Sequence, residues 1–330
     1  MKRWVGSLIK ILISIVLIGY LFCKIDFAGL QTSLAHAHWV YVVLALGLYI
    51  AGQMLNSYKW ALLIQTKDAV IPFPKLVSYY FIGMFFNLGL PSIVGGDIPR
   101  GYYLYKDYGG SAKPGEEKQG LTVVESLSTV MMQRITGLFA LIIIACITYF
   151  FFFFHNPVLT IEMRNNLTIL FLALLIGTAI GIGVMVTFKP KTLDKIESKS
   201  QVKIVLNDFG SYLHHPRLFS YVILLSFIFQ LLNIFVNIII GAALNVSIPF
   251  SYYYVAMPII ALLAAVPVSF NGIGVRENAY VFFLGLVGID KSIAFSFALL
   301  WLFIVIISSL LGGPLYIFRG GKSKGEVPSS

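Results

Sequence analysis

The chain has 330 residues, of which 58% are hydrophobic and 12% are charged, and its mean hydropathy is +0.87. Soluble domains carry about 25% charged residues, so this composition excludes an ordinary soluble domain and is typical of a polytopic membrane protein. The formal net charge of +10 comes from Lys and Arg scattered over the loops between apolar stretches. That distribution favours anionic lipid headgroups over nucleic acid as partners.

Six apolar stretches are long enough to cross a bilayer, which takes about 20 residues. They lie, in chain order, at about 5–24, 38–64, 120–154, 166–188, 218–245 and 290–318. The first follows Met1-Lys2-Arg3, and no small-residue cleavage site stands out after it, so we interpret it as an uncleaved anchor rather than a signal peptide. The sequence thus predicts an all-α membrane protein with six full transmembrane helices.

Two further apolar stretches, at about 75–108 and 251–288, are interrupted by Pro and Gly. The first break is Asn87–Arg100, which contains Leu90-Pro91-Ser92 and Gly95-Gly96-Asp97, and the second is Pro267–Glu277. Hydrocarbon cannot hydrogen-bond a backbone, so broken helices at membrane depth must be buried in protein or line a wet cavity. We expect each stretch to form a re-entrant pair of half-helices.

The positive charges predict the orientation of the chain. Lys2 and Arg3 place the N-terminus in the cytoplasm, and the basic segment 189–217 falls on the same side. With six crossings, the C-terminus is cytoplasmic too. The expected location is the cell membrane (plasma or inner membrane), with 189–217 as a basic loop that holds a short surface helix.

The two breaks belong to an internal repeat. A shift of 177 positions aligns Gln53 with Gln230 and Asn56 with Asn233, and a shift of 176 aligns Arg100 with Arg276. The repeats would cover 1–154 and 166–320, each with three crossings and one re-entrant pair, so the second copy is inverted. Inverted repeats with broken helices are typical of alternating-access carriers. The alternative is an old duplication that no longer has a mechanical meaning.

The two breaks resemble the signatures of a known family. Leu90-Pro91-Ser92, Gly95-Gly96-Asp97 and Arg100 are similar to the first signature of the flippase-like family, the membrane region of lysylphosphatidylglycerol synthases and their stand-alone relatives. The run from Asn271 to Glu277 is similar to its second signature. The resemblance extends from about 5 to 320. Residues 1–330 contain no polar run long enough for the soluble catalytic domain of the synthase, so we do not expect aminoacylation from the resemblance.

The resemblance implies translocation of an anionic, aminoacylated or polyprenyl-linked lipid between leaflets. The family often has Glu-Arg in the third full span, where this sequence reads Gln133-Arg134. Arg134 therefore lacks the usual acidic neighbour, and Glu125 is a poor substitute.

The candidate substrate-binding residues are charged or carry amides. A guanidinium makes bidentate contacts with phosphate, and a helix N-terminus beside it adds unpaired N–H groups. The alternative for each arginine is neutralisation by its own acidic neighbour. The amides either line a headgroup groove or join helices to one another. The candidates are Gln53, Asn56, Asp97, Arg100, Arg134, Gln230, Asn233, Asn271, Arg276 and Glu277.

Three carboxylates are candidate protonation sites, because low dielectric disfavours a charged carboxylate. They are Asp97, Glu125 and Glu277. The Cys and His residues lack the spacing of metal ligands, and no nucleophile–base motif is present. We therefore expect no metal, no cofactor and no catalytic residue.

The leading hypothesis is a lipid flippase or transporter that binds membrane phospholipids through their phosphate. One alternative is an intramembrane enzyme in which Asp97 and Glu277 form a catalytic pair. The other is a membrane partner of a lipid-modifying enzyme that transports nothing. The sequence does not predict the oligomeric state.

Overall fold

A computed structural model gives the structure of the chain. It describes residues 2–23, 25–67, 69–89, 95–109, 120–150, 215–266 and 268–322, together with isolated positions between 165 and 212. In these residues the regular secondary structure is helical apart from one isolated bridge, and turns and irregular segments join the helices. Most of the predicted span at 166–188 and most of the 189–217 loop lie outside the described residues.

The helices are numbered in chain order. They are α1 (Lys2–Phe22), α2 (Phe27–Ala35), α3 (Trp39–Gln65), α4 (Phe73–Gly89), α5 (Asp97–Tyr108), α6 (Val123–Thr148), α7 (Pro216–Ala243), α8 (Phe250–Ala265), α9 (Val275–Leu286), α10 (Lys291–Leu310) and α11 (Gly312–Lys322).

Four apolar segments of the described chain are long enough to cross a membrane. They are α3, α6, α7 and the segment Lys291–Arg319 that α10 and α11 form together. They confirm the predicted spans at 38–64, 120–154, 218–245 and 290–318. The predicted first span corresponds to α1, which bends by 90° into α2, and together these two helices would make a fifth span.

Polar caps fix several helix starts. Thr122 and Glu125 form a capping box at the start of α6, in which each side chain accepts the backbone N–H of the other. Asp26 accepts two backbone N–H groups at the start of α2, and Asp290 accepts one at the start of α10. Glu125 is thus a helix cap.

Both predicted breaks interrupt helices. Helix α4 ends at Gly89 and α5 begins at Asp97, while α8 ends at Ala265 and α9 begins at Val275 after a short 3-10 turn. The breaks follow from the Pro and Gly content of both segments. Two expectations stay predictions. One is that each pair of half-helices returns to the side of the membrane from which it entered, and the other is the inverted repeat at 1–154 and 166–320.

By their internal packing the residues form two compact units. Unit 1 comprises Met1–Ala51, Ser78–Arg100 and Leu232–Ser330, and unit 2 comprises Gly52–Val77 and Gly101–Leu231.

In unit 1, α9 packs against α1, α8 and α10, and α10 also packs against α2. Glycines allow close approaches in this unit. A Cβ on Gly96 would lie 1.9 Å from the carbonyl oxygen of Gly83, and one on Gly312 would lie 2.1 Å from that of Phe81. These positions therefore accept no other residue without a shift of the backbone.

In unit 2, an apolar cluster forms around Leu62, Leu63, Met132, Tyr212 and Val222, which are all buried. Beside this cluster, the indole N–H of Trp60 donates a hydrogen bond to the Thr129 hydroxyl over 2.9 Å. The cluster and this bond hold α3, α6 and α7 together within the unit.

Candidate functional site

The second break has a backbone that glycine and asparagine make possible. Asn271, Gly272 and Gly274 have φ values of 50°, 78° and 87°, which lie in the left-handed region. A Cβ on Gly272 would also lie 2.8 Å from the carbonyl oxygen of Ala264. The Asn-Gly-Ile-Gly run therefore produces the sharp turn that starts α9.

Hydrogen bonds to α1 hold this turn in place within unit 1. The backbone N–H of Phe270 donates to the Ser14 hydroxyl over 2.8 Å, and the Asn278 amide donates to the carbonyl oxygen of Leu17 over 3.2 Å. The same Asn278 amide also donates to the carbonyl oxygen of Gly274, at the first turn of α9. The N-terminus of α9 is thus fixed on two sides.

Arg276 lies in the first turn of α9 and is partly buried. Within the residues that the structure describes, its guanidinium makes no hydrogen bond or ion pair, either with Glu277 or with another carboxylate. It does lie close enough to the hydroxyls of Tyr49 and Tyr280 to act on them electrostatically. The site therefore holds a cation that no described side chain neutralises.

Glu277 is 2% exposed, although it is ionisable. One carboxylate oxygen, Oε2, accepts the backbone N–H of Gly274, and the other, Oε1, is buried without a hydrogen-bond partner in the described chain. One turn further along α9, the Tyr280 hydroxyl donates to the Asn237 side chain over 2.6 Å. Glu277 thus stabilises the turn with half of its hydrogen-bonding capacity.

Arg100, unlike Arg276, forms an ion pair within its own helix. Its guanidinium lies 3.1 Å from the Asp97 carboxylate, and both side chains are buried, with 7% and 8% of their surface exposed. The guanidinium also lies 4.9 Å from the centre of the Tyr80 ring. Asp97 therefore neutralises Arg100 inside the first turn of α5, with a cation–π contact beside the pair.

The structure brings the two breaks together within unit 1. The Asn271 amide donates a long hydrogen bond, 3.4 Å, to the carbonyl oxygen of Asn87 at the end of α4. The Asn87 side chain in turn accepts the backbone N–H of Gly96 over 2.7 Å. The contact between the two breaks therefore runs through the side chains of Asn87 and Asn271.

A cavity of about 930 Å³ lies along the face of α9 that is opposite to Arg276. Four of its lining residues, Asn278, Val281, Phe282 and Gly285, recur at the spacing of one helix face. At 100° per residue, Arg276 and Tyr280 point away from this face. The cavity is therefore separate from the Arg276 site.

Several of the predicted amide residues join helices of unit 2. The Gln133 amide donates to the Asn56 carbonyl oxygen and to its side chain, over 2.5 and 3.2 Å, and the Gln230 amide donates to the carbonyl oxygen of Gly137 over 2.8 Å. Gln53, three residues before Asn56 in α3, is buried as well. This geometry favours a role in joining helices, and a role in substrate binding stays a prediction.

Lys59 is a buried cation that the sequence reasoning missed. It is 1% exposed, and its ammonium donates to the carbonyl oxygen of Gln133 over 3.0 Å and to the Ser226 hydroxyl over 3.2 Å. The spacing of three residues from Asn56 puts both on one face of α3, and that spacing is a signal that could have revealed it.

The other two predicted residues lie on long helices. Arg134 is half-buried on α6, next to Gln133. Asn233 is half-buried on α7, where its carbonyl oxygen accepts the Asn237 amide over 2.8 Å. The described residues contain no cluster of His, Cys, Asp and Glu that could hold a metal ion.

Replacing Gly272 with alanine is expected to destabilise the protein by at least about 1–2 kcal/mol, because alanine is strained at positive φ. The contact with Ala264 adds to this cost. Gly285 on α9 is the matched control, because it has a helical backbone and open space around it. Its replacement with alanine should stabilise the protein by about 0.5–1 kcal/mol. Denaturation in detergent measures the stability of both variants. Equal denaturation midpoints for Gly272→Ala and Gly285→Ala would contradict the described turn.

The comparisons with known proteins agree with this architecture. The chain is 27% identical over 243 residues to a UPF0104 membrane protein of Methanocaldococcus jannaschii, an alignment that covers 71% of this chain and 94% of the relative. The pattern of the lysylphosphatidylglycerol synthase transmembrane region matches residues 7–313, which is nearly the whole chain. This chain is therefore a multi-pass membrane protein that belongs to the family of the lysylphosphatidylglycerol synthase transmembrane region.

Proposed function

We propose that this protein moves phospholipids between the leaflets of the cell membrane and that Arg276 contacts the lipid phosphate. The observation that carries the proposal is the Arg276 guanidinium, which makes no ion pair or hydrogen bond with a described residue. A charge inside a membrane protein is costly, and such residues usually mark a substrate or ion path. An anionic ligand would compensate this charge.

A phosphate fits the surroundings of Arg276 for two reasons. The planar guanidinium matches two phosphate oxygens at once. The first turn of α9 adds backbone N–H groups that no helical carbonyl can pair, together with the positive end of the helix dipole.

Membership in the family supports a lipid as the source of the phosphate. The family is named for the membrane region of an enzyme that makes a modified phospholipid. An anionic, aminoacylated or polyprenyl-linked lipid meets the chemical requirement, because each carries a phosphate. In this proposal the headgroup crosses through the polar interior, the acyl chains stay in the bilayer, and both termini are cytoplasmic.

The geometry does not favour the rival activities. An intramembrane enzyme with Asp97 and Glu277 as a catalytic pair needs two accessible carboxylates, but Asp97 is paired with Arg100. A partner protein without transport activity gives no reason for a partly buried guanidinium at a helix N-terminus that makes no ion pair in the described chain.

The test is an assay in proteoliposomes that contain fluorescent phosphatidylglycerol and a quencher that reacts only with the outer leaflet. Purified protein should accelerate the loss of fluorescence from the inner leaflet over that in protein-free vesicles and in vesicles with an unrelated membrane protein. In parallel vesicles without the quencher, mass spectrometry should recover the lipid chemically unchanged, which excludes an enzyme. Equal rates in all vesicles, with phosphatidylglycerol, cardiolipin and a polyprenyl phosphate, would overturn the proposal.

A further inference from the structure

The three candidate protonation sites differ in the structure. Asp97 is paired with Arg100, and Glu125 caps α6. Glu277 is 2% exposed, has no ion pair with a described cation, and leaves Oε1 buried without a hydrogen-bond partner in the described chain. Of the three, Glu277 is therefore the one whose charge the surrounding protein compensates least.

The surroundings of Glu277 contain few charges. On its own helix lie Arg276, the next residue, and Tyr280, whose hydroxyl interacts electrostatically with the carboxylate. The helices packed against α9 bring Ser14 and Leu17 of α1 to its first turn, and neither of them titrates. The other titratable residues of α1, α8 and α10 and of their ends are Lys2, Arg3, Lys10, Tyr20, Cys23, Tyr252, Tyr253, Tyr254, Asp290 and Lys291, and α3 contributes Tyr49.

We infer that Glu277 is a proton-binding site that fills when a lipid phosphate binds at Arg276, so that lipid and proton move together. The inference rests on the proposed function. Without ligand, the two side chains carry opposite charges but form no ion pair with each other. An anionic phosphate at Arg276 stands next to the Glu277 carboxylate, and the two negative charges repel each other.

Uptake of one proton removes this repulsion. The carboxylate accepts H⁺ on Oε1 and becomes a carboxylic acid, while Oε2 keeps the hydrogen bond from the Gly274 backbone. No other bond forms or breaks, and the proton returns to solvent when the lipid leaves. Phosphate binding and proton binding thus strengthen each other by the same factor, because linkage is reciprocal.

The linkage predicts a pH dependence of lipid binding. With one linked proton, the affinity for phosphatidylglycerol should rise by up to about tenfold for each pH unit of acidification over the range in which Glu277 takes up the proton. The expected direction of coupling is cotransport, in which an imposed proton gradient drives phosphatidylglycerol in the direction of proton flow.

The first measurement is proton uptake by the wild-type protein, in weakly buffered detergent, when phosphatidylglycerol micelles are added. About one proton should be taken up per lipid bound. In Glu277→Gln the uptake should vanish, while the amide oxygen keeps the bond to Gly274. The matched control is Asp26→Asn, which removes an exposed carboxylate and leaves an equally good cap of α2. Lipid binding without proton uptake in the wild type would overturn the inference without any variant.

The second measurement is lipid movement under an imposed pH gradient in proteoliposomes. The rate of lipid movement by the wild type and by Asp26→Asn should depend on the gradient. The rate of Glu277→Gln should be the same with and without the gradient, and Glu277→Asp should recover the dependence. Movement that ignores the gradient in the wild type refutes proton coupling and leaves the proposed function standing. A wild type that neither moves nor binds any of the lipids refutes the proposed function, and the inference falls with it.

Discussion

Replacing Arg276 with alanine is expected to lower the rate of phosphatidylglycerol movement in proteoliposomes by roughly ten- to hundredfold. A hydrogen bond to a charged group is worth about 1.5–3 kcal/mol, which corresponds to that range. The loss should be specific to function, because the guanidinium makes no hydrogen bond or ion pair with the described part of the protein that the substitution would break. Thermal denaturation in detergent should therefore change little.

Two further variants sharpen this prediction. Arg276→Lys keeps the charge but loses the bidentate geometry, so its rate should lie between those of alanine and the wild type. Arg319→Ala is the matched control, because Arg319 belongs to the same unit but contacts Tyr79, through a hydrogen bond of 3.1 Å and the face of its ring. An Arg276→Ala variant that moves lipid at the rate of Arg319→Ala would show that the phosphate does not bind there.

The pair of Asp97 and Arg100 should produce the largest effect on stability. Removal of either partner leaves a charge with no more than 8% of its side chain exposed, so each single alanine variant should lose about 3–5 kcal/mol of unfolding free energy. Replacement of both removes both charges, and the double variant should be more stable than the sum of the single losses implies. Denaturation midpoints in detergent for the four proteins measure this coupling.

The same set of variants also tests whether Arg100 has the phosphate-binding role that we propose for Arg276. If Arg100 contacts the phosphate as Arg276 does, the double variant should recover stability and still fail to move lipid. If Arg100 serves only to neutralise Asp97, the double variant should recover both stability and lipid movement. Additive losses of stability would show that the pair at 3.1 Å contributes no coupling.

The sequence contained enough to locate the breaks and four of the spans. Pro and Gly cannot continue a helix without cost, and about 20 apolar residues have few alternatives to crossing the membrane. The sequence also contained a signal that Arg100 forms an ion pair with its acidic neighbour and Arg276 does not. Asp97 and Arg100 are three residues apart and share a helix face, whereas the neighbours Arg276 and Glu277 point about 100° apart.

Other features depend on packing that no local pattern contains. The tyrosines near Arg276 come from α3 and α9, and Tyr80 comes from α4, so only the folded unit brings them together. Lys59 is close to the end of α3, where a lysine usually reaches the interface, but the acceptors on α6 and α7 hold it inside. Polar side chains that join helices look, in the sequence, like those that line a groove.

Contact between Arg276 and a lipid phosphate is the central claim, and solid-state NMR measures it most directly. Protein with ¹⁵N-labelled arginine is placed in phosphatidylglycerol bilayers, and the dephasing of guanidinium nitrogen by ³¹P is compared between the wild type and Arg276→Lys. A guanidinium bound to phosphate has N···O distances of about 2.8 Å, which places phosphorus at roughly 4 Å. We predict a component at that distance that Arg276→Lys removes. Identical dephasing curves for the two proteins would contradict the claim.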